Sequence, residues 1–190
     1  MIYLVVPWDT KTFFLGDEMT FHVPRTIMAQ AEAKELMLVD HQLLNAQNNK
    51  PVLTIVQDAL LASYLLTNNH SFFEYDQVCQ LFMRLRFATI DQIPPPALIK
   101  PHRLWTGKQI YSILFPPTFN YNRKQIIIRH GQLLDGGLKK NMSSEGGVVH
   151  MLAKLYGNTR TIEFISDVQY LALGYMEGLG FSIGIGDCVA

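Results

Sequence analysis

Pro94-Pro95-Pro96 constrains this chain more than any other stretch. Each proline fixes its own φ and removes a backbone donor. Three in a row therefore form a stiff, extended connector through which neither a helix nor a strand ladder continues. Structure has to be built on either side of it. Upstream, Thr26 is placed to cap a helix over Ile27 to Leu38, with Ile27, Met28, Ala31 and Leu36 on its apolar face. Asn45 to Pro51 is polar, holds Asn48-Asn49 and ends in proline, which marks a loop. The β-branched run Val52 to Val56 leads straight into a segment of helical spacing, Gln57 to Thr67, where Asp58 favours the positive end of the helix. A further helix is predicted over Glu74 to Arg86, with Val78, Leu81, Phe82 and Leu85 inward.

Downstream of the prolines, Ala97 to Pro101 runs extended toward Trp105. A helix then starts at Thr106-Gly107 and continues to about Leu114, where Pro116-Pro117 stops it. Gln125 to Leu138 reads as a β-hairpin turning at His130-Gly131, with Lys139-Lys140 on the loop after it. Ser144 is placed to cap a helix over Glu145 to Tyr156. Asn158 or Thr159 caps a longer one, with Ile162, Ile165, Val168, Leu171, Leu173 and Met176 apolar, ended by Gly178 and Gly180. Phe181 to Asp187 is a glycine-spaced extended run. The expected class is α+β: helices packed with short strands and a β-hairpin.

Composition bounds the function. Hydrophobic residues are 48% and charged residues 17% of 190, which describes a globular chain and not a disordered one. Lys plus Arg is 16 and Asp plus Glu is 16, so there is no basic excess of the kind a free-standing nucleic-acid binder shows. Any contact with nucleic acid is then local or shared with partners. Cys79 and Cys188 are far apart in apolar surroundings, which predicts two buried thiols in a reducing compartment. The apolar start Met1 to Val6 is too short for a membrane span, and no transmembrane segment is read elsewhere.

Few local patterns carry chemistry. Gly16-Asp17-Glu18-Met19 is a glycine turn with two adjacent carboxylates, able to present oxygen to a hard cation such as Mg²⁺ or to stand as a solvated acidic turn. Lys139-Lys140, near Gly146-Gly147, is a basic loop that could meet phosphates; as a bare pattern, a solvated loop is the simpler reading. Gly184-Ile185-Gly186-Asp187 lacks the third glycine of a phosphate-binding turn. Trp105-Thr106-Gly107-Lys108 lacks the upstream glycine of a P-loop, which leaves Lys108 as a surface lysine at a helix start. The six histidines show no metal-ligand spacing.

Taken together, the segments resemble the largest subunit of multisubunit DNA-directed RNA polymerase, in its eukaryotic and large-DNA-virus form. The likeness begins at Gly16-Asp17-Glu18-Met19 with His22-Val23-Pro24. It runs through Asn49-Lys50-Pro51, Ile55-Val56-Gln57-Asp58, Leu65-Leu66-Thr67 and Pro96 to Pro101, then Leu104 to Ile110. It resumes at Gly131 to Leu134, Lys139-Lys140 and Gly146 to His150, and ends with Gly180 to Asp187. The resemblance implies that residues 16–45 close the active-site domain, that 46–190 form the pore domain, and that 1–15 do not match. It implies a fragment of a larger multidomain subunit. It also implies nucleotidyl transfer on a DNA template with Mg²⁺, and partnership with the second-largest subunit, the remaining pieces of the largest subunit, DNA, RNA and nucleoside triphosphates, with no membrane. Lys139 and Lys140 match a lysine pair near the nucleotide and RNA phosphates. The implied setting is the nucleus, or the viral factory, virion or host cytoplasm: intracellular and reducing.

The likeness carries one departure. The family's magnesium motif reads Asn-Ala-Asp-Phe-Asp-Gly-Asp-Glu-Met, and this chain has Lys11-Thr12-Phe13-Phe14-Leu15-Gly16-Asp17-Glu18-Met19. Phe13 and Leu15 stand where two metal aspartates belong, so Asp17 is the one metal ligand carried over, with Asp9 a weaker substitute. The chain alone is therefore expected to be inactive. Two readings remain open. Either residues 1–15 are intron or intein read-through at a gene junction, or the chain is a degenerate, non-catalytic module that docks on a polymerase. The first is favoured.

Overall fold

A computed structural model of the chain describes residues 22–86, 93–123, 125–139, 142 and 144–188. It divides into two units, Met1–Gln42 and Leu43–Ala190. In the first, α1 (Ile27–Glu35) starts at Thr26, whose hydroxyl accepts the Ala29 N–H at 3.2 Å. The helix stops at Glu35, short of the expected Leu38, and a 3₁₀ turn over Val39–His41 comes next. Side chains close this end: His41 Nδ1 lies 2.7 Å from the Glu35 carbonyl, and the Gln42 amide donates to the Leu36 carbonyl at 2.6 Å. The apolar face expected of α1 is exposed: Ile27 is 85% and Met28 84% exposed, and no residue of the helix is buried.

The second unit carries the core. The loop before α2 closes on itself through the Leu44–Pro51 bridge and two hydrogen bonds between Asn45 and the Lys50 and Asn49 backbone. Val52 to Val56 forms no strand, although Ile55 is buried. α2 (Gln57–Leu66) packs on α5 (Val148–Leu179). α3 (Tyr75–Met83) begins with a reciprocal capping box between Glu74 and Gln77. Val78, Leu81, Phe82 and Leu85 all point inward, as the spacing predicts.

The triple proline is held by its carbonyls, the only backbone polar groups it has. Pro94 accepts the Trp105 indole N–H at 2.7 Å, and Pro95 accepts the Gln109 side-chain amide at 3.1 Å. β1 (Phe72–Phe73) and β2 (Trp105–Thr106) pair antiparallel, and Thr106 then caps α4 (Gly107–Ser112) with Gln109 closing the box. Gly107 fits where nothing larger would: a Cβ there would lie 1.8 Å from the Leu66 carbonyl oxygen, so this glycine lets α4 start directly against the end of α2.

A three-stranded antiparallel sheet comes after α4, with β3 (Tyr121–Arg123), β4 (Ile126–Arg129) and β5 (Gln132–Asp135) in that order. The β4–β5 hairpin turns at His130 (φ 49°) and Gly131 (φ 74°), both left-handed, as a two-residue hairpin turn of the primed type requires. The sequence does not mark β3, because Tyr121-Asn122-Arg123 has too little alternation to read as a strand. In β4, Ile126 and Ile128 face the core while Arg129 faces out.

α5 breaks at Gly157 (φ 82°, ψ 173°), so the two helices expected from the sequence meet at a glycine. The first starts from Gly147, not from Ser144 or Glu145. In the second, Ile165, Val168 and Leu171 are buried, whereas Leu173 is exposed. Gly180 (φ 68°) ends it, and the last stretch closes in a short helix, α6 (Ile185–Cys188), in place of a fully extended run. Aromatic rings link these parts. Phe115 stacks on both Phe119 and Phe164, with centroids 5.7 and 5.2 Å apart, and Phe119 continues to Tyr121. The thiols depart from expectation: Cys79 is half-buried and Cys188 exposed.

Candidate phosphate-facing loop

The basic loop begins where β5 ends. Asp135 caps its own turn by accepting the Gly136 N–H at 2.8 Å. Its other partner is Lys108, at 3.5 Å. Lys108 is not the surface lysine predicted: its side chain is 15% exposed, and its charge is matched by Asp135. The Gly136 N–H first, and the Lys108 ammonium second, hold the Asp135 carboxyl below the usual carboxylate range.

Leu138 drives the loop into the core. It is fully buried, and its N–H donates to Thr67 Oγ1 at 3.1 Å at the end of α2. The Thr67 hydroxyl in turn donates to the Ser63 carbonyl at 2.7 Å, so it serves as both acceptor and donor. Met142 is also fully buried; its N–H donates to the Lys139 carbonyl at 2.9 Å, and its sulfur lies 3.6 Å from the Tyr111 hydroxyl. Burial pushes the Tyr111 phenol up, with the Ser63 hydrogen bond working against it. Between these two buried anchors the backbone lifts Lys139 to the surface. Its ammonium sits over the Tyr64 ring, 4.7 Å from the centroid.

The glycine pair after the loop is fixed just as firmly. The Gly146 N–H donates to His150 Nδ1 at 3.1 Å, which puts the ring proton of the neutral form on Nε2. The Gly146 carbonyl accepts the Tyr121 hydroxyl at 3.0 Å. Glu145 pairs with Lys50 at 3.6 Å, joining this loop to the Asn49-Lys50-Pro51 turn. The structure thus gathers three separated sequence blocks: the Lys50 turn, the end of α2, and the lysine and glycine loop.

Of the residues singled out for chemistry, Lys139 lies within this loop. Lys140, Asp17, Asp9, Phe13 and Leu15 lie outside the described residues. Among the described residues no three His, Cys, Asp or Glu side chains gather where one metal ion could be held. Sequence reasoning missed Tyr64, Thr67 and His150 as supports of the loop. For Tyr64 the available signal was an aromatic on the Ser63–Thr67 face of a helix, which reads as packing.

The sequence has close likenesses among known proteins. Residues 42–188 match the family model described as RNA polymerase Rpb1, domain 3. The chain is 35% identical over 192 residues to DNA-directed RNA polymerase II subunit RPB1-B of Trypanosoma brucei brucei, covering 93% of this chain and 11% of that protein. It is 34% identical over 206 residues to DNA-directed RNA polymerase III subunit RPC1 of Debaryomyces hansenii, covering 93% of this chain and 14% of the relative. With subunit RPC1 of Homo sapiens the identity is 31% over 203 residues, covering 92% and 15%. The chain spans between 11% and 15% of the length of these relatives.

Proposed function

This chain belongs to the RNA polymerase Rpb1 domain 3 family, and from that membership we propose that it acts as a pore-lining piece of a DNA-directed RNA polymerase largest subunit. The match over residues 42–188 carries the reading. In this role the chain contributes a wall beside the channel of nucleotides and RNA. Lys139 and Lys140 place positive charge next to triphosphate or RNA phosphates, where a charged hydrogen bond is stronger than a neutral one. Its partners are the second-largest subunit and the remainder of the largest subunit, and through them DNA, RNA and nucleoside triphosphates. It works where those partners transcribe, in a nucleus or in a viral factory. Among the described residues no helix is long and apolar enough to cross a membrane.

The residues of this chain do not fit a complete Mg²⁺ site. Asp17 offers one carboxylate, while Phe13 and Leu15 offer no donor. Mg²⁺ asks for near-octahedral oxygen ligation, so the ion's remaining ligands come from the rest of the assembly. The chain alone is then inactive in RNA synthesis. The same two apolar residues favour a second reading, a non-catalytic module that docks on a polymerase. Recovery of the tagged chain with the second-largest subunit and the other largest-subunit pieces supports the first; recovery with a polymerase that already holds a complete largest subunit supports the second.

In a reconstituted assembly, Lys139→Ala with Lys140→Ala is expected to slow elongation or transcript cleavage about tenfold. That is the effect of losing one charged hydrogen bond of about 1.5 kcal/mol. Rates equal to those of the unsubstituted assembly would remove the phosphate role.

A further inference from the structure

Lys139 does not stand on the loop by chance of exposure. Three contacts with one face of α2 determine where its ammonium goes. The first is the ring of Tyr64 beneath Nζ, at 4.7 Å. The second is at Thr67, one helical turn after Tyr64 and so on the same side of the helix, which accepts the Leu138 N–H at 3.1 Å. The third is at Gly137: a Cβ there would lie 3.3 Å from Cδ2 and Cε2 of Tyr64 and 4.0 Å from Cε of Lys139. A side chain at 137 would crowd the Tyr64 ring and sit in contact with the lysine stem.

Resting on the phosphate role proposed above, we infer that Tyr64 is a positioning residue for Lys139, an aromatic seat that holds its ammonium in place for a phosphate group. A lysine side chain has a long, flexible stem, and ordering it at the moment of binding costs conformational entropy. A cation already seated on a ring face has lost part of that freedom beforehand, which strengthens binding. The ring attracts the cation through its quadrupole, whereas Lys108 is held by the Asp135 carboxylate. Of the two lysines that flank this turn, Lys108 lies beside a carboxylate and Lys139 over a ring.

The test uses the full 190-residue chain and two probes: inorganic tripolyphosphate and a short oligouridylate RNA. Tyr64→Leu keeps bulk and removes the ring; Tyr64→Phe keeps the ring and removes the hydroxyl. Tyr64→Leu is expected to weaken binding of at least one probe about two- to fivefold, the worth of an exposed cation–π contact. Tyr64→Phe should bind as the unsubstituted chain does, and Tyr64→Leu added to Lys139→Met should be no worse than Lys139→Met alone. The Lys139 ε-proton resonances should show a ring-current shift that survives Tyr64→Phe and disappears in Tyr64→Leu. Gly137→Ala keeps the Tyr64 ring but crowds it with a methyl 3.3 Å from its edge; where Tyr64→Leu folds poorly, it is the second variant and is expected to weaken binding in the same direction. Which probe responds separates a free triphosphate from RNA as the source of the phosphate. Lys139→Met without effect on either probe would overturn the phosphate role itself. Lys139→Met weakening binding while Tyr64→Leu and Gly137→Ala leave it unchanged, or tighten it, would overturn the seat alone.

Discussion

α1 and α2 are helices of nine and ten residues, and both carry apolar side chains at helical spacing. They are held in opposite ways. α1 has a side-chain cap at Thr26 and buries no residue. α2 has no side-chain cap at its start, yet it buries Ala59, Ala62, Ser63 and Leu66 and packs on α5. The first is specified by local hydrogen bonds, the second by tertiary contact, which is where most helical stability in folded proteins arises. The difference reaches the lysine loop. The anchored helix is the one that offers Tyr64, with Thr67 just past its end, to the lysine loop. The apolar side chains of α1 stay at its surface.

The largest expected effect tests how tightly α2 is tied to α4. Gly107→Ala would place a Cβ 1.8 Å from the Leu66 carbonyl oxygen, a backbone atom that cannot rotate away. Either α4 or the end of α2 must shift. The expected loss is about 3 kcal/mol or more, at or above the usual range for overpacking, read as a lower denaturant midpoint. An unchanged midpoint would mean that α2 and α4 are not locked together.

Next comes the anchor at Thr67. Thr67→Val keeps the shape and leaves the buried Leu138 N–H without its acceptor. An unsatisfied buried donor costs about 1–3 kcal/mol. Hydrogen exchange should show the Leu138 amide opening, and the Lys139 ring-current shift should weaken with it. Loss of stability without any change at Lys139 would separate the core function of this bond from its service to the loop.

These contacts also mark how far the sequence can be read. The four inward residues of α3 and its end repeat at helical spacing, so that helix and its buried face are legible. The β4–β5 hairpin is legible through His130-Gly131, because a two-residue turn needs left-handed backbone and glycine supplies it. The apolar face of α1 is legible as a pattern but not as an exposed one, since periodicity shows which side chains share a face and not what covers it. The Lys108–Asp135 pair and the Tyr64–Lys139 contact join positions remote in sequence, and no local rule brings them together. As a bare pattern the lysine pair reads as a solvated loop, and the contacts that support Lys139 are invisible until the chain is folded. The domain-level match from residue 42 agrees with the family resemblance, while Asp17 lies outside both that match and the described residues.

The smallest effect belongs to α1, and it is the sharpest check on the comparison. Thr26→Ala removes the hydroxyl that accepts the Ala29 N–H. Loss of an N-cap costs about 1 kcal/mol. Because no residue of α1 is buried, that cost should stay within the helix. Amides from Met28 to Leu36 should exchange faster, whereas the cooperative unfolding of the second unit, Leu43–Ala190, should keep its midpoint. The matching loss at α2 cannot be made this way, since Val56 contributes no side-chain cap to remove. A shift of the global midpoint in Thr26→Ala would show that α1 is held by tertiary contact after all, and the contrast between the two helices would collapse. Faster exchange confined to α1 would establish that its apolar side chains are presented on a locally stable helix.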